Sequence, residues 1–201
     1  MKNIIYSLLC VLSISLYAQK KSRTDLEKAH LQIGLQDFKG AIHTYTEILL
    51  KDSSNQEALI GRAEAKLLVS DYFGAIQDLS VAIKFKPTSR AYLLRGKTKN
   101  NLLDYRGAIG DFNRGLEYDK ENEVLLLERA KSQLALKSYE ESVLDFTKLI
   151  ELNPSNKDAF YLRGLIKIHQ GKKEEGCLDL SHAGELGDED AYKKIAELCV
   201  P

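Results

Sequence analysis

Apolar positions in this chain recur at helical spacing, and small residues recur at a much longer one. Within single segments the apolar residues fall three and four apart, as in Ala75, Leu79, Ala82 and Ile83, or Ala108, Phe112 and Leu116. That is the one-sided stripe of an amphipathic helix. Over the chain, Ala29, Ala63, Gly96, Ala130 and Gly164 stand 34, 33, 34 and 34 residues apart. Ala41, Ala75, Ala108, Ser142 and Gly176 keep step with them. A period near 34 is too short for a domain and too long for one helix. It is the length of one helix–turn–helix unit, so the pattern predicts an all-α chain of stacked helical hairpins.

The second helix of each hairpin opens on a recurring word: DFKGAI at 37–42, DYFGAI at 71–76, DYRGAI at 104–109, and the worn copies SYEESV at 138–143 and KKEEGC at 172–177. Asp37, Asp71, Asp104 and Ser138 are expected as N-caps, their side-chain oxygens accepting from an otherwise unpaired backbone N–H. First helices are predicted over 24–35, 56–69, 90–102, 124–136 and 158–170, and Pro87 and Pro154 fall in connections, where a missing N–H does no harm. The small residues mark the seam within each hairpin: Ala29 is expected to face Ala41, Ala63 to face Ala75, and Gly96 to face Ala108. A larger side chain there would overpack the seam at a cost of about 1–3 kcal/mol. Residues 189–199 carry half the pattern and are predicted to close the last open apolar face.

These in-phase words and small residues resemble the tetratricopeptide repeat family, from Arg23 to about Cys199. The resemblance implies a right-handed α-solenoid of about five repeats, near 22–55, 56–88, 89–122, 123–156 and 157–190, with a cap at 189–199, all in one domain over 19–201. It also implies a concave groove that binds a peptide or protein. Many such repeats carry Leu before the small residue. Here Arg62, Arg95, Arg129 and Arg163 stand there, in GRAEAK, LRGKTK, ERAKSQ and LRGLIK, which is similar to an arginine–glycine variant of the family.

Each of these arginines has an aspartate sixteen residues later: Asp78, Asp111, Asp145 and Asp179. The first repeat lacks both members, with Lys28 and Thr44 in the slots, and that parallel loss favours pairing within a repeat. A bidentate guanidinium–carboxylate pair suits such a half-buried position. An anion-binding row is the alternative, but an opposite charge is supplied each time, so the expected role is a structural ladder.

Binding belongs to the face of each first helix turned from its seam. Spacing of i, i+4, i+7 collects Leu26, His30, Ile33; Ile60, Glu64, Leu67; Leu93, Lys97, Asn100; Leu127, Lys131, Leu134; and Tyr161, Leu165, Ile168. An open apolar row of this kind is a docking candidate, although part of it could be buried between repeats. Co-chaperones of the resembled family clamp a C-terminal carboxylate with Lys and Asn on these helices. Here the slots are largely Leu and Ile, so an amphipathic helix or extended apolar segment is the expected ligand.

Composition removes several classes. The chain is 44% hydrophobic with 29 basic and 29 acidic residues, a balance that argues against a basic surface gripping nucleic acid and matches an anionic membrane poorly. Residues 1–18 stand apart: Lys2, an apolar run from Ile4 to Leu16, then Tyr17-Ala18 before polar residues. They read as a secretory signal peptide cut after Ala18, the run being short for a membrane span. The expected product is periplasmic or secreted, with no membrane span. Cleavage removes Cys10 and leaves Cys177 and Cys199, on helices predicted to be antiparallel neighbours, as an expected disulfide. The four histidines show no metal-ligand spacing, and no P-loop, nucleophile elbow or dinucleotide fingerprint occurs, so no cofactor, metal or catalytic residue is expected. The reading is a non-catalytic, exported interaction scaffold; its alternative is an envelope component that fills the groove by forming a homo-oligomer.

Overall fold

The computed structural model describes residues 21 and 23–200, so the expected signal peptide, residues 1–18, lies outside the described residues. Among the described residues the chain is helical without strands. The helices are α1 (23–34), α2 (Phe38–Lys51), α3 (Gln56–Leu68), α4 (Tyr72–Phe85), α5 (Ser89–Asn101), α6 (Tyr105–Tyr118), α7 (Glu123–Ala135), α8 (Tyr139–Leu152), α9 (Lys157–His169), α10 (Lys173–Glu185) and α11 (Glu189–Leu198). They gather into two compact units, one ending at Pro87 and one beginning at Thr88.

In the first unit α2 packs on α3 and α3 on α4. Ala29, Ala41, Ala63 and Ala75 are fully buried at the expected seams, with Tyr45, Leu59, Leu79 and Ala82 filling the rest. Gly61 makes room for the Tyr45 ring, which a Cβ at Gly61 would strike. In the second unit each helix from α5 to α11 packs on the next, and α5 also meets α7. One core cluster joins Ala108, Phe112, Leu116, Leu125 and Leu126; another joins Ala130, Phe146, Leu149, Ala159 and Ile166. At the seam of α9 on α10, a Cβ on Gly164 would stand 2.8 Å from the carbonyl oxygen of Gly176.

The tight turn inside each hairpin is built the same way every time. The chain enters the left-handed region at Gln36, Ser70, Leu103, Lys137 and Gly171, and again at Gly187 before α11. At the first turn Gln36 N–H donates to Ile33 O and Asp37 N–H to Gln32 O, a Schellman stop. In the first three of these turns the next residue then caps the following helix. Asp37, Asp71 and Asp104 accept from the N–H of Gly40, Gly74 and Gly107. Those glycines leave space for the cap carboxylate, which a Cβ would strike. Ser138 departs from the expectation: it occupies the N-cap position, but its side chain makes no capping hydrogen bond. Its shorter side chain is followed by Glu141 where the three aspartate-capped words carry Gly.

Helix α11 closes the second unit. Ala191 is buried, and the Tyr192 ring lies against Gly184. Lys193 donates to Asp190, and this bond holds the Asp190 carboxyl below its ordinary value. Cys177 and Cys199 form a disulfide, with their Cα atoms 5.8 Å apart, that ties α10 to the end of α11. Among the described residues no helix is long and apolar enough to cross a membrane.

Candidate functional site

The arginines and aspartates meet within repeats. Arg62 Nε and Nη2 donate to Asp78 at 2.8 and 2.7 Å, Arg95 to Asp111 at 3.0 and 2.6 Å, and Arg163 to Asp179 at 2.8 Å twice; Arg129 grips Asp145 in the same two-pronged way. All four aspartates are buried. Sequence reasoning missed two parts of this arrangement. Lys66, Lys99 and Lys167, four residues after their arginines, add a second cation to Asp78, Asp111 and Asp179 at 2.8, 2.7 and 3.0 Å. The i, i+4 spacing carried that signal, because it places both cations on one helix face. The free prong of the guanidinium also reaches the preceding hairpin: Arg62 Nη1 donates to Thr46, Arg129 Nη1 to Asn113 and Arg163 Nη1 to Thr147.

Two repeats vary the ladder. In the first, Thr44 Oγ1 donates to Gln32 Oε1 at 2.8 Å, a neutral pair where the others are ionic. In the fourth, Gln133 stands in the lysine slot, buried, and its Oε1 has no hydrogen-bond partner among the described residues. Arg62, Arg129 and Arg163 each direct Nε and both Nη nitrogens to acceptors within the fold, on their own hairpin and the one before it.

The expected groove residues divide by depth. In the first unit Ile60 is only 6% exposed and belongs to the core, while Glu64 and Leu67 are half-buried. In the second unit Leu93, Lys97 and Asn100 on α5, Leu127 and Leu134 on α7, and Tyr161, Leu165 and Ile168 on α9 are half-buried, and Lys131 is exposed. Leu93 rests on the Phe112 cluster, and Leu127 and Leu134 on the Phe146 cluster, each keeping one side open. Helices α5 and α7 are held side by side. Asn100 Nδ2 donates to Ser132 Oγ at 2.8 Å, and Lys97 Nζ stands 3.7 Å from Glu128. Asn100 is therefore a fastening between helices. Val124, 46% exposed, extends the α7 row three residues before Leu127 and was legible from that spacing.

A second open surface lies in the first unit. A cleft of about 410 Å³ between α2, α3 and α4 is lined by Leu50, Leu59 and Val81, with Arg62 and Asp78 among its walls. Phe73 and Phe85 are exposed on α4. Among the described residues no group of His, Cys, Asp and Glu is arranged to hold a metal ion.

The tetratricopeptide repeat family pattern matches residues 127–176. Human tetratricopeptide repeat protein 4 is 26% identical over 176 residues, covering 85% of this chain and 45% of that protein. The chain spans less than half the length of the curated relatives it matches. Among solved structures, MamA superposes with a TM-score of 0.76 at 19% identity, covering 82% of this chain and 96% of MamA. YrrB, described as a TPR protein with an unusual peptide-binding site, gives 0.75 at 18% identity, covering 87% of this chain and 91% of YrrB. At these identities the structural likeness is one of fold.

Proposed function

Because the chain is a tetratricopeptide-repeat protein, a kind that generally serves as a protein-interaction scaffold, we propose that it binds a peptide or protein segment without catalysing a reaction. The observation that carries this reading is the half-open apolar row of Leu93 on α5 and Val124, Leu127 and Leu134 on the neighbouring α7, with the exposed Lys131 between the last two. Such a row favours an amphipathic helix or extended apolar segment, which buries its side chains against the row. Export belongs to the same proposal. The apolar run at residues 4–16 suits a signal for export, and the Cys177–Cys199 disulfide suits an oxidising compartment.

Val124→Asp tests the site, because Val124 sits at the open end of the row and contributes little to the core. Peptide binding is expected to fall at least tenfold with the melting temperature nearly unchanged, and intact binding would refute the assignment. Leu127→Asp is expected to cost stability as well, since Leu127 leans on the Phe146 cluster. Light scattering across a concentration series is expected to give a monomer. A stable dimer that protects Leu127 from exchange would instead make the chain its own ligand. Amino-terminal sequencing of the mature protein from cell fractions tests export, with Gln19 expected first.

A further inference from the structure

Most lysines and arginines of α5, α7 and α9 are answered by a carboxylate. Arg95 and Lys99 bond Asp111, Arg129 bonds Asp145, Arg163 and Lys167 bond Asp179, and Lys97 stands 3.7 Å from Glu128. Lys131 has no such partner: it is exposed, and among the described residues no carboxylate stands within 4.0 Å of it. It sits on α7 between Leu127 and Leu134, in the middle of the apolar row.

An apolar segment laid across that row covers the Lys131 stem and takes water from its ammonium. Without a partner, that desolvation opposes binding. One carboxylate in the ligand supplies a charge-assisted hydrogen bond in partly dried surroundings, and Lys97 on the adjacent helix leaves the local charge positive even after Glu128 is counted. A terminal carboxylate is disfavoured on this face, because Asn100 already bonds Ser132 and is not free to join a lysine in clamping one. We propose that the ligand of the α5–α7 face is an apolar segment carrying an acidic side chain, seated on Lys131 with its apolar residues against Leu93, Val124 and Leu127. The inference rests on the binding face proposed above and adds the chemistry of its partner.

A random peptide library displayed on phage, panned against the full chain and against Lys131→Glu, reads that chemistry directly. Wild-type binders are expected to carry Asp or Glu among apolar residues, and Lys131→Glu binders to carry Lys or Arg at the same place. A synthesised acidic binder is expected to lose about tenfold in affinity on Glu→Gln or on Lys131→Gln, and to keep its affinity when its C-terminus is amidated. Circular dichroism of each variant checks the fold. Apolar binders without acidic enrichment would overturn the charge inference and leave the face standing, and loss of binding on amidation would assign Lys131 to a chain terminus instead. If no binder depends on Val124, the face itself falls, and this inference with it.

Discussion

Leu103 holds a backbone angle that its own side chain resists. Its φ is 61°, and its side chain is 71% exposed, so little packing repays the strain. Leu103→Gly is expected to stabilise the protein by about 0.5–1 kcal/mol, the relief being partly offset by a freer unfolded chain. A higher urea midpoint at unchanged slope is the readout. Gln133 makes the opposite case, a buried residue short of a partner. Gln133→Lys recreates the double-cation grip seen at Asp78, Asp111 and Asp179, and is expected to add about 1 kcal/mol by the same assay. Neither site was legible as such. Gln36, Ser70, Leu103 and Lys137 share one left-handed geometry with no residue type in common, because the Schellman bonds impose it from the backbone. Only Gly171 and Gly187 carry a sequence signal for it.

Helices make the same glycine mean two things. Gly110 is on α6, and a methyl group added there would meet nothing within 4 Å, so Gly110→Ala is expected to stabilise by up to about 1 kcal/mol through helix propensity alone. Gly164 lies on the seam, where the added methyl would stand 2.8 Å from the Gly176 carbonyl oxygen. Gly164→Ala is expected to destabilise by about 1–3 kcal/mol as α9 and α10 are pushed apart. Paired thermal melts decide it, and equal shifts of one sign would show that propensity alone governs both. The seam itself was readable, since Ala63, Ala75 and their counterparts must be small wherever two helices touch. Arg–Asp pairing was readable too, because the first repeat loses both partners together. Capping was readable only in the second helices. Asn55, Thr88, Asn122 and Asn156 cap the first helices, but no repeated word announces them.

At the scale of the molecule, helical spacing fixes the angle of a residue about its helix and leaves its depth open. Ile60 and Lys131 were drawn from the same angular row, yet one is core and the other exposed, because depth depends on what the neighbouring helices supply. The carboxy-terminal end shows how locally such a chain is held. Helix α11 fully buries only Ala191 among its residues, so it has little apolar anchorage of its own. The Cys177–Cys199 bridge, across a separation of 22 residues, supplies roughly 3 kcal/mol of constraint. In a repeat array each element is stabilised mainly by its neighbours, so loss of the bridge should be felt at the end and fade along the chain. Hydrogen exchange of Cys199→Ser is therefore expected to show α11 opening, α10 weakened, and the amides of α3 and α4, which have a core of their own, unchanged. Reduction of the wild-type protein should reproduce that gradient. A uniform loss of protection in both units would mean that the bridge stabilises the chain as one cooperative body, and that the repeats do not act as near-independent neighbours.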